Sequence, residues 1–324
     1  MKFLKYLLFL LLIAVIGMAI YVAVQPNDFK VTESSIINAP QAVVFENVTD
    51  ASTDDRSSFW TDTEDLKKSE TYPNDSIVEI YSSGRIKNSE LKWTFSSNPN
   101  GSTNVTRSLN ADHLSFMTKA KYAMFGDQDD DILKHFKEDL KDLQVSVQKS
   151  MSVYDIKIDG VTDYGGGFYL YKSTSSSYAN ISETMSQQFE DISSFMDTHR
   201  IAASGQPFTI YIDRNAENGS VIMTNAIPVS ERIIVAEDSN ILCGFMERTK
   251  AVKVTLTGDY VNLEEAWKKA KNYLQVNEMV ASEISPFEVY KNDPTQLPNP
   301  AHWITEIYIP IVENLEVDIT PDYQ

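Results

Sequence analysis

The sequence predicts an α+β protein built from an N-terminal transmembrane helix, a sheet closed by one long helix, and a pseudo-twofold antiparallel sheet with two helices on one face. Three observations carry this. Residues 6–27 form an uncharged apolar run behind Lys2 and Lys5, strand-like alternation after Phe29 gives way to one amphipathic helix, and the second half repeats its own element order. At 324 residues the chain exceeds what a single core usually supports, so two folded domains are expected behind the apolar segment.

The run 6–27 is long enough to cross a bilayer of ~30 Å at ~1.5 Å per residue. It is longer than a signal-peptide core, and "YVAVQP" offers no clear small-x-small cleavage site, so residues 1–27 read as a retained anchor. Lys2 and Lys5 place the N-terminus in the cytoplasm and everything after Asp28 on the outer, extracytoplasmic side. A net charge of −18 without a basic cluster argues against nucleic-acid partners. Cys243 is the single cysteine and the 4 histidines lie far apart, so neither a disulfide nor a metal site is expected. No sequence feature calls for a cofactor.

From residue 29 the order is strand ("FKVTESSIINAP"), a short helix opened by Pro40, then a strand-rich stretch from about 64 to 120 with turns at "YPND", "SSGR" and "NPNGS". A long helix follows, with Ile132, Phe136, Leu140, Leu143 and Val147 on one stripe and Asp129 to Asp131 at its N-terminus. With "INAPQAVVFENVTD", "FW" at 59–60 and "LKWTF" at 91–95, region 29–151 resembles the START-like (SRPBCC, polyketide cyclase-like) helix-grip family. That resemblance implies a sheet gripping the last helix. In such families a cavity between the two takes apolar small molecules, and the residues here favour a filled core.

The second half contains two copies of strand, helix, strand, strand. "PFTIY" (207–211) aligns with "PFEVY" (286–290), Tyr178 with Tyr260, and each copy closes on a strand ending in Ile-Pro, "SVIMTNAIPV" and "WITEIYIPI". The second helix buries Leu263, Trp267, Ala270 and Leu274, and Asn262 with Glu265 forms a capping-box-like start. Its partner buries Ile181, Met185, Ile192, Phe195 and Met196.

Side chains alternate across a strand, so parity sorts each strand into two faces. Taking the aliphatic members as the face beneath the helices leaves Tyr169, Tyr171, Tyr211, Tyr290, Tyr308, Glu288 and Glu306 on the other. So many tyrosines on one open face point to something that covers them. Rings around a carboxylate suit an aromatic or cationic amphipathic molecule, with cation-π attraction of ~0.5–2 kcal/mol. Trp303 joins this face only if the last strand begins after it.

Residues 154–315 resemble the gyrase-inhibitor-like (GyrI-like) effector-binding domain also found in AraC-type regulators. The matching stretches are "LTGDYVNLEEAW" (256–267), "GQPFTIYID" (205–213), "AIPV" (226–229) and "PFEVYKNDPTQLPNPAHWITEIYIPI" (286–311), leaving 316–324 as a tail. The resemblance implies a concave sheet cleft that binds amphipathic small molecules, with a buried acid in the last strand that Glu306 matches. Three functions stay open: a membrane-anchored protein that senses or sequesters such a molecule, a hydrolase of strained cyclopropane-type compounds using Glu306, and a protein-interaction module.

Overall fold

A computed structural model of the chain describes residues 2–26, 28–50, 66–81, 87–112, 114–125, 128–215, 218–292 and 295–312. The "FW" pair at 59–60 and the tail 316–324 lie outside them. The chain divides into two compact α+β units, the first ending at Ser150 and the second beginning at Met151.

The first unit begins with α1 (Lys2–Val24), in which Phe3–Val24 is long and apolar enough to cross a membrane. It continues through β1 (Phe29–Ile37), α2 (Gln41–Asp50), β2 (Leu66–Tyr72), β3 (Ser76–Tyr81), β4 (Lys87–Ser97) and β5 (Thr103–Asp112). It ends with α3 (Phe116–Phe125) and α4 (Gln128–Met151). The expected strand-rich stretch therefore stops at Asp112, and its last residues start a helix instead. All pairings are antiparallel in the order β1-β5-β4-β3-β2.

Period two puts Leu91, Trp93 and Phe95 on one buried face of β4. Ile132, Phe136, Leu140, Leu143 and Val147 of α4 are buried too, and Ile132 and Phe136 join Val31, Leu91 and Leu109 in one core cluster. Each such side chain contributes about 1.5–3 kcal/mol by leaving water. Arg107, opposite Trp93 in the β4–β5 ladder, is 1% exposed, forms an ion pair with Asp139 of α4, and lies 4.6 Å from the Trp93 ring centroid.

The second unit runs β6 (Asp155–Tyr164), β7 (Gly167–Ser177), α5 (Ile181–His199), β8 (Phe208–Asn215), β9 (Ser220–Val229), β10 (Leu242–Met246), β11 (Thr249–Thr257), α6 (Leu263–Val276), β12 (Phe287–Tyr290) and β13 (Ile304–Pro310). One antiparallel sheet takes them in the order β10-β7-β9-β8-β12-β13-β11-β6. The two segments read as copies each occupy one half, and β8 and β12 meet at the centre. Each outer strand, β10 or β6, comes from the stretch preceding the other half's segment.

Trp267, Ala270 and Leu274 of α6 pack on Val252, Val254, Leu256, Ile307 and Ile309, and Ile192 and Met196 of α5 pack on Leu170, Ile227 and Val229. Both helices therefore cover the same face. The start of α6 differs from the capping box: Asp259 accepts from Val261 N at 2.9 Å and begins a single 3-10 turn, while Asn262 makes no side-chain cap.

Candidate functional site

The register of the central strands decides which side chains share the face away from the helices. Phe287 stands directly opposite both Tyr308 and Ile210, and Val289 opposite both Glu306 and Phe208. Direct partners point the same way, so Phe208, Ile210, Phe287 and Val289 lie with Glu306 and Tyr308. On β7, Tyr171 pairs with Ala226, itself opposite Phe208, which puts Tyr169 and Tyr171 on that face as well.

The same register moves Tyr211, Tyr290 and Glu288 beneath the helices, contrary to the parity expectation. The reason lies in what each core accepts. Glu288 is 1% exposed, yet it accepts from Trp267 Nε1 at 2.5 Å on one oxygen and from the Tyr211 hydroxyl at 2.7 Å on the other. The Tyr290 hydroxyl lies 2.9 Å from that second oxygen and 3.2 Å from Thr209 Oγ1. Thr209 donates to Asn225 at 2.7 Å, and Asn225 donates to Gln188 of α5 at 2.6 Å. A carboxylate surrounded by donors is tolerated in a core, whereas Phe208 and Phe287 find apolar neighbours on the other side. Burial, then the Glu288 charge, pushes the Tyr211 and Tyr290 hydroxyls well above the usual tyrosine range.

Trp303 is engaged by other partners. Strand β13 begins after it, its Nε1 donates to Leu297 O at 2.7 Å, and its ring lies 4.8 Å from Tyr260, whose own ring is 5.9 Å from Tyr290.

What faces away from the helices is a continuous row of rings. Tyr171 lies 5.6 Å from Tyr169, Tyr169 5.3 Å from Phe208, Phe208 6.1 Å from Phe287, and Phe287 stacks on Tyr308 at 5.1 Å. Tyr164 closes the row at 4.7 Å from Phe287 and 5.1 Å from Tyr308. Tyr164 belongs to β6, three strands from Phe287, a separation of ~14 Å in a flat sheet. The sheet therefore curls, and this face is concave. Gly244 fits the close approach at its other side, since a Cβ there would stand 2.6 Å from the Tyr169 ring.

Glu306 lies on this concave face, its side chain 12% exposed. Lys253 Nζ lies 2.7 Å from Oε1; Oε2 accepts from the Tyr308 hydroxyl at 2.9 Å and has Lys291 Nζ at 3.7 Å. Burial, reinforced by the Glu306 charge and hydrogen bond, pushes the Tyr308 hydroxyl far above its ordinary range. Beside them Thr255 donates to Asp159 at 2.5 Å. The group is one-sided: aligning the two Ile-Pro strand ends puts Thr224 where the second half has Glu306 and Ala226 where it has Tyr308. The ladders then put Tyr171 in the place of Lys253.

Such a site can hold a flat apolar body against rings and exchange one ionic partner at Glu306. Residues 169–312 match the GyrI-like small molecule binding domain. Solved structures similar to the chain that carries this GyrI-like domain include the EcmrR C-terminal domain, 18% identical over 50% of this chain and 99% of that one, with a TM-score of 0.40. SAV2435 bound to tetraphenylphosphonium is 11% identical over 49% and 94%, with a TM-score of 0.35. A hydrolase from Listeria innocua is 6% identical over 47% and 92%, with a TM-score of 0.34. None of the curated proteins matches the chain.

Of the residues singled out in the sequence, Glu306, Tyr308, Tyr169 and Tyr171 come together on the concave face of the GyrI-like domain. Sequence reasoning missed Tyr164, Phe208, Phe287 and Lys253 as members. Pairing of the two "PF" motifs at the sheet centre is the signal that would have found Phe208 and Phe287; Tyr164 is brought in only by the curl.

Proposed function

We propose that the GyrI-like domain binds a small amphipathic aromatic molecule against its row of rings, with the ligand's cationic group replacing Lys253 at Glu306. The chain then senses or sequesters that molecule. The row from Tyr171 to Tyr164 with Glu306 at its edge carries this reading, because a concave aromatic face with one exchangeable charge suits an amphipathic cation. In the same reading α1 spans the membrane with the N-terminus in the cytoplasm, and the chain after Asp28 lies on the outer side. The first unit is a START-like domain with a filled core, supported by the side chains of α4 buried with those of its sheet.

The test is titration of the full chain in nanodiscs with tetraphenylphosphonium, a lipophilic aromatic cation, following quenching of intrinsic fluorescence. Saturable quenching is expected, with Kd raised about tenfold, or ~1.4 kcal/mol, in Glu306→Gln. Equal affinity in both proteins would remove the acid from the site.

A further inference from the structure

Helix α3 (Phe116–Phe125), which no function above uses, packs against α1. The contact is at the end of the apolar span: Lys119, 6% exposed, donates from Nζ to Gln25 O at 2.8 Å, and Val22 is 1% exposed although the rest of α1 is almost wholly bare. Ser115 opens α3 by accepting from Thr118 N at 3.1 Å, so the helix is capped in its own right.

Its outer side is unusual for a water-facing helix. Phe116, Met117 and Met124 are exposed, Met117 by 77%. With Ala120 they fall in one arc of roughly 100° at 3.6 residues per turn. Lys121 flanks the arc, and the segment "FMTKAKYAMF" carries two lysines and no acid in a chain of net charge −18.

We infer that α3 lies in the outer lipid interface, with Phe116, Met117 and Met124 entering the acyl boundary and Lys121 meeting lipid phosphates. This rests on the reading of α1 as a span. If Phe3–Val24 crosses the bilayer, a helix touching Gln25 has no other depth available than the headgroup layer, and its exposed apolar arc and lysines fit that layer. The interface thereby has a second anchor beside the span.

The experiment is spin-label depth measurement on the full chain in nanodiscs of phosphatidylethanolamine and phosphatidylglycerol, with Cys243→Ser as background and one label each at Val15, Met117 and Lys121. Oxygen and a water-soluble nickel chelate compete as relaxants. The expected result is a strongly oxygen-favouring label at 15, an oxygen-favouring label at 117, and an oxygen-to-nickel ratio several-fold lower at 121. A lipid-buried label at 15 with a water-exposed or protein-covered label at 117 overturns the inference and leaves the span standing. Water exposure at 15 overturns the span itself and the inference with it.

Discussion

Lys253 stands directly opposite Tyr308 in the β11–β13 ladder, yet its ammonium reaches diagonally to Glu306 at 2.7 Å. The pair is mostly shielded from water, so screening is weaker than for a surface ion pair. In the proposed binding mode a ligand cation takes the place of this lysine at Glu306. Lys253→Met keeps the aliphatic stem and removes the competitor, while Tyr308 and Lys291 still attend the carboxylate. Tetraphenylphosphonium affinity is expected to rise on the order of tenfold, ~1.4 kcal/mol, measured by calorimetric titration. Unchanged or weaker affinity would mean the cation sits elsewhere.

Glu288 holds together a hydrogen-bonded cluster that ties α6 to the sheet. Glu288→Ala leaves Trp267 Nε1 and the Tyr211 hydroxyl buried without their acceptor, at a cost of about 1–3 kcal/mol for each stranded group. The expected outcome is a lower denaturation midpoint for the second unit alone, followed by Trp267 fluorescence. Because these residues face the helices, ligand affinity in the protein that remains folded should be nearly unchanged, which separates this cluster from the Glu306 site.

Much of the second unit was legible in its sequence, and the limit was one of register. Parity within β8, β12 and β13 came out correctly: Phe208 with Ile210, Glu288 with Tyr290, Glu306 with Tyr308. Hydropathy cannot say which face of a strand turns to the helices when both faces are buried. Phe287 is buried because the sheet curls onto it, and Glu288 is buried because Trp267 and Tyr211 satisfy it. Both facts depend on partners far away in sequence. In the first unit the stripe from Ile132 to Val147 was readable by itself, since a helix carries its periodicity within one segment. Helix α3 was not, because a segment of ten residues gives a short periodic signal.

Gly244 sits under the Tyr169 ring, which is 5.3 Å from Phe208. Gly244→Ala would place a methyl 2.6 Å from that ring, forcing it away from its seat in the row. Overpacking of this kind typically costs about 1–3 kcal/mol. We expect a fall in Tm together with weaker tetraphenylphosphonium binding, and Tyr169→Leu in the same background should recover stability but not affinity. Recovery of both would show that the Tyr169 ring makes no contact with the ligand.

The buried tyrosines set an alkaline limit on stability. Tyr211, Tyr290 and Tyr308 hold their protons well above the ordinary value of 10.0, chiefly because burial penalises the phenolate, with Glu288 or Glu306 opposing it further. In the unfolded chain they ionise near pH 10, so above that pH the folded state binds more protons than the unfolded one. Stability is therefore fully present below about pH 10 and declines as pH rises through the interval up to the folded values, by as much as ~1.4 kcal/mol per pH unit for each group. Absorbance at the phenolate band should accordingly keep a late-ionising fraction from Tyr211, Tyr290 and Tyr308. These hydroxyls should appear only as the second unit unfolds, in step with loss of near-ultraviolet dichroism. Tyr308→Phe removes one late-titrating group and, having no phenol to ionise, should shift the unfolding step to higher pH. A single smooth titration of every tyrosine in the folded protein would contradict the burial of these three hydroxyls.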